Sequence, residues 1–385
     1  MTRQLLFILS FSAMVAPLAV AQTPPRPAAK PGDPQEETAE TVDGVKLNCR
    51  FYKAIREGNN SVVILLPDYN ADPVKNDKEW DGLARELAAD AGVNVMRFDY
   101  RGHGKSKEVV ADRFWNHEWN QRYVTGYNRK PIKNDIDVKD FKSDYFPMLV
   151  NDLAAVRTIL DQKNDDRQVN TRTIYLVATG SAAPLVQLFL ATEWNRAQVK
   201  PPPVGLGGNV PDLVSVGGRR PSGTDVAGKD YAGVVLLSPS RTYNFPRGNT
   251  IASNAVSNQQ LKDWVTKYSR DNTSGDLRNN TSYVVMAGDK DDLGMKNATY
   301  FFHDLLNADA KMGARVEAMK NTKLIPIRGA KEKGVELLGK NSQYKTEDTI
   351  KAFIEKVESD RKRLNPIDRK YDKPFRINLT SFGVN

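Results

Sequence analysis

Short, continuous apolar runs recur along the chain, and between them apolar residues return every three or four positions. The runs cover residues 61–66, 94–98, 174–177, 232–237, 282–287 and 323–327. Runs of this length, bounded by turn residues, are typical of strands that are buried on both faces, whereas the spacing of three and four predicts amphipathic helices. The alternation of the two patterns predicts an α/β fold with a doubly wound, mostly parallel sheet.

The pattern also indicates how the domain is organised. Residues 45–52 alternate between apolar and polar, which predicts an antiparallel hairpin at the start of the fold. Residues 107–147 show no regular period and are interpreted as an insertion near the mouth of a site. Residues 201–228 are rich in Pro and Gly and are interpreted as a surface loop. We therefore expect one domain over residues 42–385, with a helix near 259–268 forming a small cap.

The beginning of the chain differs from the rest in composition. Arg3, an apolar core at 5–15 and an A-x-A pattern ending at Ala21 predict a signal peptide that is cleaved after Ala21. Residues 22–41 are rich in Pro, Ala and Glu, which predicts a disordered leader. The protein is therefore expected to be secreted or periplasmic. The alternative is that the signal peptide is retained as a membrane anchor. No later apolar run is long enough to span a bilayer.

Composition narrows the classes of partner and cofactor. Cys49 is the only cysteine, so an intramolecular disulfide is excluded, and its place in the alternating segment predicts a buried thiol. The net charge is +9, from 56 basic and 47 acidic residues. Because the basic residues are scattered and no nucleic-acid-binding motif accompanies them, a solvated basic surface is expected rather than a nucleic-acid partner. No metal-binding, phosphate-loop or dinucleotide motif is present, so neither a metal nor a cofactor is predicted.

Two segments carry a resemblance to a known family. Residues 99–106 read DYRGHGKS, and residues 173–191 pass from a strand pattern through small residues into a helical pattern. The first matches a D-x-R-G-x-G-x-S turn, and the second matches the strand–turn–helix setting of a nucleophile elbow. Over residues 45–361 the chain resembles the α/β-hydrolase superfamily, in particular its serine aminopeptidase-like and lipase-like members. This resemblance implies about eight strands, helices on both faces of the sheet and a small cap.

The resemblance implies a nucleophile position, and that position lacks a serine. Ala178, Gly180 and Ala182 occupy the three small-residue positions of the elbow, which places Gly180 where the nucleophile would be. Glycine has no side chain to carry acyl transfer, although it adopts the positive φ of an elbow without strain. A frame shifted by one residue makes Ser181 an alternative nucleophile. In the family's frame, Ser181 would contribute its backbone N–H to the oxyanion hole, and its side chain would cap the following helix.

Of the other two catalytic positions that the resemblance implies, the acid position matches the family pattern and the histidine position does not. Asp291 occupies the acid position of a G-x-x-D pattern, but Lys333 stands where the resemblance implies histidine. The three histidines, His103, His117 and His303, all lie elsewhere in the sequence. A lysine acts as a base only where burial lowers its pKa, and a neighbouring carboxylate favours its charged form. We therefore predict a salt bridge between Lys333 and Asp291 in place of the histidine–aspartate contact.

The segment implied to form the oxyanion hole also departs from the family. Asp68 and Tyr69 follow the 61–66 run where many relatives have histidine and glycine. A carboxylate there opposes the charge that develops on an oxyanion, unless it points away. Of the four elements that the resemblance implies, the acid position is intact, whereas the nucleophile, histidine and oxyanion positions all depart from the family.

Three functions are compatible with this pattern. The first is an exported, non-catalytic protein that binds a ligand or partner in the former active-site cleft. The second is an ester, lipid or peptide hydrolase that uses atypical residues such as Ser181 with Asp291. The third is an interaction module of the cell envelope, suggested by the leader and the basic surface. A shared fold does not decide between them.

Overall fold

The computed structural model describes ten segments of the chain. They are residues 32–56, 61–70, 76–127, 132–195, 227–241, 265–266, 280–308, 321–339, 343–361 and 364–369. The predicted signal peptide at 1–21 lies outside these segments. So do most of the Pro/Gly-rich loop at 201–228 and most of the cap predicted near 259–268, of which only Val265 and Thr266 are described, both helical.

An eight-stranded sheet forms the centre of the described structure. Its strands are β1 (Gln35–Glu40), β2 (Lys46–Tyr52), β3 (Val62–Leu66), β4 (Asn94–Phe98), β5 (Ile174–Thr179), β6 (Tyr231–Leu237), β7 (Ser282–Gly288) and β8 (Lys323–Ile327). Their order across the sheet is β1-β2-β4-β3-β5-β6-β7-β8. Strand β2 is antiparallel to both of its neighbours, and every other pair is parallel, so only β2 runs against the rest. The predicted mostly parallel sheet is confirmed.

Helices cover both faces of this sheet. They are α1 (Asp77–Glu86), α2 (Ala111–Asn116), α3 (Glu118–Tyr123), α4 (Val150–Asp165), α5 (Ala182–Asn195), α6 (Asp292–Thr299) and α7 (Thr346–Asp360). Val62, Ile64 and Leu66 of β3 point to one face, where they join a core with α4, α5 and α6. Val63 and Leu65 point to the other face, where α1 and α7 pack. Because side chains alternate along a strand, a run buried on both faces requires these two layers of helices.

The boundary expected for the leader was wrong. Strand β1 lies inside the segment 22–41, which was predicted to be disordered, and it pairs along its whole length with β2. Ala39 is the one buried residue of β1, because the strand lies at the edge of the sheet. A polar edge strand has too few apolar side chains to produce an alternating pattern, so its order depends on backbone pairing with β2.

The segment 107–147 contains more regular structure than its pattern indicated. Helices α2 and α3 lie within it, and 3₁₀ turns follow at Val138–Asp140 and Ser143–Leu149. These elements are too short for the helical period to show in the sequence. Their buried side chains, such as Phe114, extend the core that contains α4 and α5.

A buried ion cluster joins this insertion to the sheet. The Arg101 guanidinium donates to Asp152 at 2.7 Å, to Asp43 at 2.8 Å and to the Tyr145 hydroxyl at 2.8 Å. Arg101, Asp43 and Asp152 are completely buried. Burial alone would raise the pKa of the Asp43 carboxyl, but the Arg101 guanidinium holds it well below its usual range. Burial raises the pKa of Asp152, which shares the same cation, to about 6.

We expect Arg101→Met to destabilise the protein by about 3–5 kcal/mol at neutral pH, because two buried carboxylates lose their cation. Urea unfolding measures this. Lys46→Met is the matched control, since Lys46 pairs with Glu108 at the surface, and it should cost less than about 1 kcal/mol. A loss for Arg101→Met as small as that of the control would contradict the structural role of the cluster.

The cost of Arg101→Met should also depend on pH. In the wild type the lowered pKa of Asp43 contributes stability that is present at neutral pH and is lost as the pH falls. Without the guanidinium, burial should raise the folded-state pKa values of both carboxyls. Their protonation at acidic pH then removes the buried negative charges and reduces the destabilisation of the variant. The difference in unfolding free energy between wild type and variant should therefore narrow from pH 8 to pH 5.

Candidate functional site

A cleft opens at the carboxyl ends of the parallel strands. Its volume is about 380 Å³. It is lined by Asp68, Asn76, Trp80, Thr179, Gly180, Ser238, Pro239, Ser240, Asp291, Leu293, Gly294, Asn297, Lys333, Gly334, Val335 and Glu336. Strands β3, β5, β6 and β7 are neighbours in the sheet, so the residues that follow them meet at one edge. This edge is the usual ligand site of open α/β sheets.

The turn between β5 and α5 forms the floor of the cleft. Strand β5 ends at Thr179, Gly180 has a φ of +52°, and α5 begins at Ala182. The Gly180 N–H donates to the Leu237 carbonyl at 3.1 Å, and its carbonyl accepts from Ser240 N–H at 2.9 Å. These bonds join the turn to the end of β6. A positive φ is a conformation that glycine adopts without strain, as the sequence pattern implied.

The Asp68 carboxylate occupies the space beside Gly180. A Cβ atom placed on Gly180 would lie 2.0 Å from Asp68 Oδ2 and 3.2 Å from Asp68 Cβ. Asp68 Oδ1 accepts hydrogen bonds from the Ser181 hydroxyl and from the Asn70 N–H. The carboxylate therefore points toward the turn and fills the volume that a side chain at position 180 would need.

Ser181 lies beneath the cleft. The residue is 1% exposed and does not belong to the lining. Among the described residues its hydroxyl pairs with Asp68 and accepts no N–H from α5, in contrast to the helix cap that was expected. Pro184 stands at the third position of α5 and has no N–H, which removes one of the donors that such a cap would use.

Asp291 and Lys333 come together as the sequence predicted. Lys333 Nζ lies 3.4 Å from Asp291 Oδ1. The Asp291 side chain is 3% exposed and that of Lys333 is 62% exposed, so the lysine end of the pair is in solvent. Asp291 Oδ2 is buried and accepts no hydrogen bond from the described part of the chain. Gly294 makes room for this oxygen, since a Cβ there would lie 2.1 Å from it.

Ser238, which follows β6, was missed in the sequence. Its φ is +43°, rare for a residue with a side chain, and its N–H donates to the Met286 carbonyl at 2.7 Å. Its hydroxyl oxygen is buried, with no hydrogen-bond partner among the described residues. The sequence offered one signal for Ser238, namely its place directly after the buried run 232–237. Residues that directly follow buried parallel strands line the ligand edge of the sheet.

Tyr69, the other residue implied for the oxyanion hole, does not reach the cleft. Its ring is buried and packs against Tyr100 and Phe146, at centroid distances of 6.1 and 5.6 Å. Its carbonyl lies 2.7 Å from His103 Nε2. Neither His103 nor the other two histidines line the cleft. Of the three residues assigned to the oxyanion region, only Asp68 lines the cleft.

The described residues contain no group of three or more His, Cys, Asp or Glu that could hold a metal ion. None of the helices that the structure describes is long and apolar enough to cross a bilayer.

The strand order and the tight turn after β5 together decide the fold. The eight strands, most of them parallel, and the strand–turn–helix at the centre of the sheet match what the resemblance implied. The chain has the α/β-hydrolase fold. Gly180, Asp291 and Lys333, which the sequence analysis predicts for the nucleophile, acid and histidine positions, all line the cleft.

Comparison with known proteins adds similarity of structure but not of sequence. No protein-family model matches the chain, and no curated protein matches it. Similar solved structures include a thermostable carboxyl esterase of Bacillus coagulans, at 12% identity and a TM-score of 0.46, covering 84% of this chain and 99% of that one. A monoglyceride lipase of Saccharomyces cerevisiae has 11% identity and a TM-score of 0.45, covering 88% and 99%. A Butyrivibrio proteoclasticus protein solved with ferulic acid has 15% identity and a TM-score of 0.47, covering 84% and 99%.

We expect Gly180→Ala to be destabilising for two separable reasons. An alanine at a positive φ costs about 1–2 kcal/mol, and the contact with Asp68 adds about 1–3 kcal/mol. Gly329→Ala isolates the first cost, because Gly329 has a φ of +76° and nothing lies within 4 Å of its added Cβ. Urea unfolding of the three chains should rank wild type above Gly329→Ala and Gly329→Ala above Gly180→Ala.

The contribution of Asp68 can be isolated with a double-mutant cycle. In an Asp68→Ala background, Gly180→Ala should lose most of its steric cost, giving a coupling of at least about 1 kcal/mol. Additive losses in the cycle would show that the carboxylate does not occupy the space at position 180.

Proposed function

We propose that this chain is a non-catalytic protein of the α/β-hydrolase fold that binds a ligand in the cleft where hydrolases of this fold perform their chemistry. The observation that carries the proposal is the position of Asp68. Its carboxylate stands 2.0 Å from the point that a side chain at position 180 would occupy. The position therefore lacks a nucleophile, and its space is also taken by another residue.

The groups around the nucleophile position also oppose acyl transfer. The sequence implies Asp68 for the oxyanion region, and the negative charge of its carboxylate would raise the energy of a developing oxyanion. The Lys333 side chain is largely in solvent, its Nζ lies 3.4 Å from Asp291 Oδ1, and an ammonium group has three donors and no acceptor. Neither residue supports the proton transfers that hydrolysis by a serine requires.

The cleft nevertheless retains the properties of a binding site. It has a volume of about 380 Å³, and its lining combines apolar surface with polar side chains. Two of these groups, Asp291 Oδ2 and the Ser238 hydroxyl, are buried and have no hydrogen-bond partner among the described residues. Buried polar atoms without a partner are costly, so a ligand that bonds to them gains affinity.

A second candidate function is hydrolysis by Ser181. One observation favours it: the Ser181 hydroxyl donates to the Asp68 carboxylate, which could accept its proton. Burial opposes it, because Ser181 is 1% exposed and does not line the cleft, so a substrate carbonyl cannot approach its oxygen. Asp291 belongs to the lining from which Ser181 is absent.

We expect no labelling of the purified protein by a fluorophosphonate probe and no hydrolysis of chromogenic esters above a blank, because the cleft presents no nucleophilic side chain at Gly180. An active serine hydrolase, assayed in parallel, verifies the reagents, and Ser181→Ala is the matched variant. Labelling of the wild type that disappears in Ser181→Ala would establish the second candidate instead.

Export is also part of the proposal, and the composition of residues 1–21 supports it. We expect protein recovered from the periplasm or medium of a bacterial host to begin at Gln22, as measured by intact mass. Ala21→Arg should block this cleavage. Full-length protein in the cytosol would contradict export, and full-length protein in the membrane fraction would favour an uncleaved anchor.

A further inference from the structure

The described residues that line the cleft carry a negative net charge, although the whole chain carries a net charge of +9. Among them are three carboxylates, from Asp68, Asp291 and Glu336, and one ammonium, from Lys333. We infer that the ligand is a small organic amine whose ammonium group binds to Asp291 and Asp68 on the floor of the cleft. This inference rests on the proposed binding function and names the chemical class of the ligand.

Asp291 provides the clearest acceptor. Its side chain is 3% exposed, and its one ionic partner among the described residues is the exposed Lys333. Its second oxygen, Oδ2, accepts no hydrogen bond from the described part of the chain. A carboxylate with unused hydrogen-bonding capacity binds a charged N–H donor best, since charge-assisted hydrogen bonds are about twice as strong as neutral ones.

Asp68 adds a second carboxylate on the same floor. Its Oδ1 already accepts from the Ser181 hydroxyl and the Asn70 N–H, while Oδ2 lies beside the bare Cα of Gly180. No described lysine, arginine or histidine forms an ion pair with Asp68. The absence of a side chain at position 180 therefore leaves a carboxylate facing the cleft in place of a nucleophile.

Two helix N-termini near the floor reduce this negative potential without reversing it. Helices α5 and α6 begin at Ala182 and Asp292, and each N-terminus carries at most about half a positive charge. The negative charge of the three carboxylates still exceeds the summed positive charge of one ammonium and these two N-termini. Asp68 and Asp291 also lie beside the two termini, so a ligand meets carboxylate oxygens there.

Lys333 marks the place that a ligand ammonium would take. Its Nζ lies 3.4 Å from Asp291 Oδ1, but its side chain is 62% exposed and can move into solvent when a ligand arrives. Trp80, Leu293 and Val335 contribute apolar surface to the lining of the same cleft. The ligand class is therefore an amine attached to a small apolar body, and Lys333 acts as an internal competitor for the same carboxylate.

Three probes that differ mainly in charge test the inference: 2-phenylethylamine, 2-phenylethanol and 3-phenylpropanoate. Titration calorimetry on the full mature chain should show the amine binding at least tenfold more tightly than the alcohol, and the carboxylate binding most weakly. Asp291→Asn should weaken amine binding at least tenfold, as should Asp68→Asn if Asp291→Asn fails to fold. Glu355→Gln, on the exposed face of α7, is the control and should change nothing.

Lys333→Met provides the most specific readout. Because it removes the internal competitor, it should tighten amine binding several-fold and leave binding of the alcohol unchanged. A lysine that merely supports the fold would not produce this gain.

The inference is overturned if the amine does not bind or binds no more tightly than the alcohol. It is also overturned if amine binding is unchanged in a folded Asp291→Asn or weakened in Lys333→Met. These outcomes are independent of the proposed function, which fails separately if the protein reacts with fluorophosphonate or hydrolyses esters.

Discussion

The buried guanidinium of Arg101 determines how the amino-terminal half of the domain is held together. It joins Asp43 beside the β1–β2 hairpin, Asp152 on α4 and Tyr145 in the insertion, all without contact with solvent. Arg101 belongs to the DYRGHGKS turn, in which Ser106 also bridges the Asp99 carbonyl and the Asn48 N–H. Every one of these contacts is structural. The turn therefore supports the fold and is no argument for catalysis.

The cleft shows the same separation between fold and chemistry. The turn at Gly180 keeps the backbone path of an elbow, with its bonds to Leu237 and Ser240. Asp68 occupies the space that the absent side chain leaves, and the hydroxyl of Ser181 binds this carboxylate from below. Asp68 and Gly180 are thus complementary in shape. Together they place a carboxylate beside the turn at this edge of the sheet.

Several particular features were predictable from the sequence because they depend on local periodicity. Buried runs such as 61–66 and 232–237 predicted the parallel strands, and the change from strand pattern to helical pattern around Gly180 predicted the tight turn. The pairing of Lys333 with Asp291 followed from their implied positions, but the exposure of the lysine did not. Strand β1 was not predicted, because this edge strand is held by backbone hydrogen bonds to β2, and such bonds leave no pattern in the side chains. Ser238 was not predicted as a site residue, because the burial of its hydroxyl without a partner among the described residues depends on the packing around the end of β6.

The sequence by itself determined the fold class, the order of the buried strands along the chain and the absence of a side chain at Gly180, since each of these is encoded by residue type and spacing. Only the tertiary structure decided what surrounds that glycine. Residues 68, 180, 238 and 291 lie far apart in the chain, and they meet because parallel strands bring their carboxyl ends to one edge of the sheet. Whether a carboxylate is buried, paired or open to a ligand depends on the neighbours that this meeting supplies, and no local pattern carries that information.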